Sequence, residues 1–335
     1  MFDNKTIFLT GGTGSFGKSF AKHILSKHNL KKLIIFSRDE LKQFNMQQDP
    51  FFSKYHNKIR FFIGDIRDLY RLDFAMNNVD LVVHAAALKQ VDTGEYNPFE
   101  FIKTNIIGAQ NIIDTSLKKN VSKVLALSTD KASSPINLYG ATKLCSDKLF
   151  VSANNYSGNK KIIFSVVRYG NVMGSRGSVI KKFIDLKNKN KPILITDKRM
   201  TRFNITLNES IKFVEDCFKN MQGGEIFVPK IKSYKILDLK EAIAPKQKFK
   251  IIGTRQGEKI HESLISASEA INTVEYKNYF AILDNFILKN KKNKKYTNDL
   301  KNKKCRKLNE KFSYVSNDNI FLNIKEIRSL IEKNL

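Results

Sequence analysis

The strongest constraint on this chain lies around residue 10. An apolar run, Thr6-Ile-Phe-Leu-Thr10, meets Gly11-Gly-Thr-Gly14-Ser-Phe-Gly17, and an amphipathic stretch, Ser15–Ser26, follows at once. A glycine triplet alone marks only turns. Between a strand and a helix each glycine has its own role. Gly11 allows the tight turn, Gly14 lets backbone approach a pyrophosphate, and Gly17 lets the helix pack closely on the strand. Thr13, Ser15 and Phe16 fall where the phosphates would meet the amino end of that helix. A strand–loop–helix opening of this kind predicts a βαβ series and a bound dinucleotide.

The rest of the N-terminal half keeps the rhythm. Strands are expected at Lys5–Leu9, Lys32–Phe36, Ile59–Ile63, Leu81–His84, Val124–Leu127 and Ile162–Val167, with helices at Ser15–Ser26, Asn105–Lys118 and Ala141–Ala153 between them. After Gly170 short strands (Ile193–Ile195, Glu225–Val228, Phe249–Ile252) mix with helices (Asn208–Phe218, Ile236–Ala244) and the loops carry arginines. The expected class is α/β: a doubly wound parallel (Rossmann) sheet with a smaller C-terminal α/β substrate-binding lobe. Residues 1–170 form the dinucleotide domain; 171–335 form mainly the lobe, with some segments returning to the core. The Lys/Asn tract Lys289–Lys307 is expected to be a surface loop or a poorly ordered segment, and Ile320–Leu335 a closing amphipathic helix.

Composition excludes other classes. Cys145, Cys217 and Cys305 have no metal or disulfide spacing. No apolar run approaches the ~18 residues of a membrane helix, and Thr6–Thr10 reads as a strand, so a cytoplasmic protein is expected. The net charge is +27, carried by 48 Lys against 11 Arg. Those lysines alternate with Asn and Asp along the whole chain, which describes a solvated surface and not a nucleic-acid or membrane face.

Three strand ends suggest how a dinucleotide would be read. NAD-binding sheets usually end the second strand in an acid that accepts from the ribose 2′-hydroxyl. Here the run is Ser37-Arg38-Asp39-Glu40-Leu41-Lys42, and the hydroxyl and guanidinium at its head suit a 2′-phosphate, so NADP is expected. Asp65 and Ile66, after the third strand, are placed at the adenine. Ala85 and Ala86, after His84, are small enough to lie against a ribose. Asn105 opens the next helix either as a brace or as a cofactor contact.

Tyr139-Gly-Ala-Thr-Lys143 places a phenol and an ammonium on one helical face. The spacing alone decides nothing, since Tyr156 and Lys160 repeat it in a Ser/Gly/Asn-rich turn. Only Tyr139 follows a strand ending Ser128-Thr129, whose hydroxyls can meet a substrate hydroxyl. Lys143 is expected to ease the Tyr139 phenol toward a general base and to hold a nicotinamide ribose.

The glycine loop, the set Thr129, Tyr139 and Lys143, and Arg168-Tyr-Gly-Asn171-Val together resemble the extended short-chain dehydrogenases that modify nucleotide sugars. Ser37–Lys42, His84-Ala-Ala-Ala-Leu-Lys89, Ser128-Thr-Asp-Lys131-Ala, Asn137–Lys148 and Arg199-Met-Thr-Arg-Phe203 narrow the resemblance. They resemble the inverting UDP-N-acetylglucosamine 4,6-dehydratases of the pseudaminic acid pathway, from about Asn4 to Phe286. Gln90, Gln256 and Phe321 depart from that pattern.

The resemblance implies a UDP-N-acetylglucosamine substrate and a homo-oligomer, dimer or hexamer. It also implies contacts to substrate from Lys89, Asn171, Arg176, Thr201, Arg202, Arg255 and Glu258, with Lys89 near the cofactor as well. Retaining relatives carry Asp-Glu where this chain has Asp130-Lys131, and 4-epimerases carry neither. Oxidation at C4 makes the C5 proton acidic; a base must take it while an acid protonates the departing C6 oxygen. Lys131 is the expected base, its pKa held down by Lys143 and the nicotinamide, and Asp130 the expected acid, kept protonated by burial. Arg168 reads as structural. The rival readings are a UDP-sugar 4-epimerase, a retaining dehydratase, or an inactive NADP-sensing protein.

Overall fold

A computed structural model describes residues 1–158, 160–175, 177–284 and 294–334. Its centre is a ten-stranded sheet. β1 (Thr6–Thr10), β2 (Lys32–Ser37), β3 (Ile59–Ile63), β4 (Leu81–His84), β5 (Lys123–Thr129) and β6 (Ile163–Tyr169) lie in the order 3-2-1-4-5-6, every pair parallel. All five residues of β1 are buried because helices cover both faces of the sheet. Alternation divides its side chains. Ile7 and Leu9 enter one core with Phe20 and Ile24 of the helix Ser15–Lys27, while Phe8 enters the other with Ile112 and Phe150. The sheet order reverses between β1 and β4, so their carboxyl ends open a crevice over the glycine loop.

The sheet continues past β6 with Glu225–Pro229, parallel to it, and then Tyr279–Leu283, Thr273–Glu275 and Arg306–Lys307, each antiparallel to its neighbour. Glu225–Pro229 and the helix Leu207–Asn220 therefore belong to the main sheet and its cover: Phe227, Val214 and Phe218 share a core with Leu9 and Phe20. What stands over the crevice has its own core of Met173, Phe183, Ile193, Met200, Tyr234, Leu239, Leu322 and Ile327. Two small sheets frame it. Thr201–Ile205 lies between Ser233–Lys235 and Asn171–Val172, and Ile193–Ile195 pairs with Phe249–Ile251.

Three local readings change. The helix expected from Asn105 contains a π-helical stretch, Ile102–Ile107, ahead of the regular helix Gly108–Lys118. Part of the Lys/Asn tract is ordered: Lys294–Lys301 is a helix, anchored by Tyr296, whose hydroxyl donates to the buried Glu225 at 2.8 Å. Composition hid that single apolar anchor; residues 289–293 lie outside the described ones. The closing helix runs Ile324–Asn334, its start fixed by Asn323 and Glu326, which cap each other's amides at 2.9 Å.

Candidate active site

Backbone constraints shape the glycine loop. Gly11 has φ +64°, and a Cβ there would lie 2.9 Å from the Ala85 and Ala86 backbone. A Cβ on Gly17 would lie 2.5 Å from the Gly11 carbonyl. Gly14 meets only the Gly11 oxygen, at 3.1 Å, and no side chain caps the Ser15–Lys27 helix, whose first turn carries no acid. The first-turn amides therefore present an uncompensated positive end to the crevice. Thr10 Oγ1 accepts from the Ala85 and Ala86 amides at 3.1 Å and shares a hydrogen bond with buried His84, whose pKa burial and Lys143 lower to about 3. His84 is thus a neutral brace holding the end of β4 against the loop.

Ser37 accepts from Thr13 at 3.2 Å and from Gln43 at 3.1 Å. Arg38 stands half exposed at the rim, 3.6 Å from Asp65. Asp39 caps the helix Glu40–Gln47 through the Lys42 amide and also pairs with the Lys42 ammonium. Asp65 is held below the usual carboxylate range: Arg67 and Arg38 outweigh the opposing burial. Asn105 is spent as a brace, exchanging hydrogen bonds with the Leu88 backbone and donating to Thr142.

One cleft of about 830 Å³ runs from the glycine loop past the β5 end to the second lobe. It brings together Gly11, Thr13–Gly17, Ser37–Asp39, Lys42, Asp65, Ile66, Ala85, Ala86 and Lys89. The same cleft is lined by Thr129, Asp130, Lys131, Tyr139, Lys143, Asn171, Arg202, Arg255 and Glu258. Glu40 and Leu41 do not line it. Nor does Thr201, whose hydroxyl is hydrogen-bonded to His261 and Ser316. Arg176 lies outside the described residues.

Tyr139, Lys143 and Asp147 succeed one another at four-residue steps on the helix Leu138–Ser152, all buried. Asn137 caps the helix through the Gly140 amide, and a Cβ on Gly140 would strike the Lys131 carbonyl at 2.3 Å. That contact presses the helix start against the turn Asp130–Ala132, which follows Thr129 directly. Lys143 donates to the Leu127 carbonyl at 2.8 Å, and burial lowers its pKa. Asp147 accepts from Ser128 at 2.8 Å and pairs with Arg168 at 3.3 Å. Fully buried Arg168 also reaches Glu269 at 2.8 Å, tying β6 to the C-terminal segment.

Lys131 is wedged between two carboxylates, 3.1 Å from Asp130 and 3.0 Å from Glu262. Burial opposes its charge, but Asp130 and Glu262 outweigh burial and raise its pKa, which reverses the expected depression by Lys143. Asp130 is raised by its own burial, so the protonated acid is favoured. Burial pushes Tyr139 up to about 12, and the opposing cations and hydrogen bonds come from Lys131 and Thr129, not from Lys143 as the sequence suggested. Among the described residues, Asp130 Oδ2 and Glu262 Oε2 are buried with no hydrogen-bond partner, so two polar atoms remain for a ligand to satisfy.

Glu262 was missed in sequence because it lies 131 residues from Lys131 and no local spacing marks it. On the second-lobe side of the cleft Arg202 donates to the Thr201 and Ile260 carbonyls and lies 3.6 Å from Glu258. Arg255 sits 3.6 Å from Asp92 across the cleft mouth.

Residues 7–284 match the model of the polysaccharide biosynthesis protein family. The chain belongs to that family. It is 53% identical to a Campylobacter jejuni protein named UDP-N-acetylglucosamine 4,6-dehydratase (inverting), over 95% of this chain and 94% of that one. A Rickettsia bellii UDP-glucose 4-epimerase is 43% identical over 84% of each chain. The X-ray structure of Pen from Bacillus thuringiensis superposes with a TM-score of 0.88 at 36% identity, covering 99% of both chains. The doubly wound fold and the dehydratase resemblance read from the sequence are both borne out.

Proposed function

We propose that this polysaccharide biosynthesis family member is an NADP-dependent UDP-N-acetylglucosamine 4,6-dehydratase that inverts C5. Its product would be UDP-2-acetamido-2,6-dideoxy-β-L-arabino-hex-4-ulose. The observation that carries the reading is the buried Asp130–Lys131 pair in the cleft beside Thr129 and Tyr139, in a chain 53% identical to an inverting dehydratase. An epimerase, as the Rickettsia relative is named, returns hydride to C4 and has no use for an acid–base pair.

The crevice fits a nicotinamide dinucleotide: the uncapped Ser15 helix and the open side of Gly14 suit its pyrophosphate. Arg38 with Ser37, and no acid at that strand end, favours a 2′-phosphate. A bound nicotinamide would supply the hydride chemistry, acceptance from C4 and return at C6. The protein moves the protons. Tyr139, hydrogen-bonded by Thr129, takes the C4 hydroxyl proton; Lys143, fixed on the Leu127 carbonyl, stands one turn away to hold a ribose. Lys131 takes the C5 proton and Asp130 protonates the C6 oxygen, which leaves as water. Lys89, Asn171, Arg202 and Arg255 with Glu258 hold the sugar nucleotide. The resemblance further supports a cytoplasmic homo-oligomer feeding pseudaminic acid synthesis. Incubating purified protein with UDP-N-acetylglucosamine and reading mass tests this: loss of one water supports it, and an unchanged or 4-epimerised sugar rejects it.

A further inference from the structure

The proposed chemistry leaves a carboxylate of the cleft wall, Glu262, unused. Glu262 is buried, and its backbone is pinned: its amide donates to Ser316 Oγ at 2.9 Å and its carbonyl accepts from the Ser316 amide at 2.8 Å. That anchoring aims Oε1 at Lys131 Nζ, 3.0 Å away, with Arg202 Nε at 3.8 Å. The titratable and charged groups facing Lys131 are Asp130, Glu262, Arg202, Lys259, Tyr139 and Tyr234; those facing Glu262 are Lys131, Asp130, Arg202, Lys259 and Tyr234.

Charge balance gives Glu262 a purpose. An acid for the C6 oxygen requires Asp130 to carry its proton. With Asp130 neutral, a buried Lys131 ammonium would have no counter-ion except Glu262, and an unpaired buried ammonium sheds its proton. An ammonium cannot take a proton from C5. We infer that Glu262 is a positioning residue of the elimination step, holding Lys131 in place and setting the pH at which it gives its proton to solvent and becomes a base. This inference rests on the dehydratase reading.

Glu262→Gln keeps the shape and removes the charge. Two readouts apply: the pH profile of water elimination in single turnovers, and direct titration of the Lys131 ammonium by NMR of 15N-lysine-labelled protein. With the counter-ion gone, the rising limb of elimination and the Lys131 titration should both move at least about one unit to lower pH. That is roughly a tenfold faster elimination at a pH on the limb. Hydride removal at C4, followed by reduced-nicotinamide absorbance, should still occur, since Tyr139 and Lys143 are both retained. If Glu262→Gln does not fold, Glu262→Asp is measured instead; its longer contact should shift both readouts the same way, but less. An unmoved limb or titration, or a uniform slowing at every pH, overturns the inference. If the wild-type protein releases no water, the dehydratase reading fails, and the Lys131 titration still decides the role of Glu262.

Discussion

Removing the Arg168 guanidinium while keeping its bulk, as Arg168→Met, tests the buried charge ladder behind the active site. Arg168 is fully buried and compensates two carboxylates, Asp147 at 3.3 Å and Glu269 at 2.8 Å, while donating to the Leu264 carbonyl at 3.1 Å. Methionine fills the volume but leaves Asp147, only 2% exposed at its side chain, without its paired guanidinium and with only Lys143, one turn away, as a cation. Breaking a buried pair from one side costs about 3–5 kcal/mol, a large share of the roughly 5–15 kcal/mol that holds a domain together.

The loss carries a pH signature. Burial already raises Asp147 above its unfolded value, Arg168 opposes that, and Arg168 also lowers Glu269. Without it Asp147, already raised by burial, holds its proton still more tightly folded than unfolded, so the variant loses stability as pH rises. Urea denaturation at about pH 5.5 and about pH 8 should show the full loss at the higher pH and a smaller one at the lower. A loss under about 1 kcal/mol at the higher pH, or one independent of pH, would refute the argument.

Three further outcomes follow from the site. Tyr139→Phe should lower turnover about 10²–10⁴-fold with NADP affinity intact by calorimetry, because only a proton acceptor is lost; wild-type turnover would reject its role. Arg38→Ala should weaken NADP binding about ten- to a hundredfold and leave NAD binding nearly unchanged, since only the 2′-phosphate contact is removed; equal losses in titration would reject the NADP preference. Lys131→Ala should still form reduced nicotinamide from UDP-N-acetylglucosamine yet eliminate water about 10²–10⁴-fold more slowly, read by stopped flow and mass spectrometry; normal elimination would remove Lys131 from the mechanism.

The sequence made the crevice legible because its demands are local. Gly11 and Gly17 are required by backbone clashes within the loop and at its next-door strand, and strand–helix alternation gives the sheet order by rule. The Tyr139–Lys143 spacing was legible for the same reason, although the helix begins at Leu138, capped by Asn137, and not at Ala141. Long-range placement was not. Glu225–Val228 looks like any short strand, and only its neighbours, β6 and Tyr279–Leu283, put it in the main sheet. Lys131 was read from its own segment, so the cation at Lys143 seemed to govern it. The carboxylate that does so arrives on Glu262, through a backbone held by Ser316. Tyr296 likewise gives order to a tract whose composition suggested none.

Inversion at C5 is the central claim, and proton NMR of the fresh product formed in deuterated water tests it most directly. In the proposed mechanism Lys131 removes the C5 proton from one face, and a solvent-derived one arrives on the other. The predicted product has lost one water, carries deuterium at C5 and shows the L-arabino configuration; a D-xylo product, or a C5 position that keeps its original proton, would contradict the account.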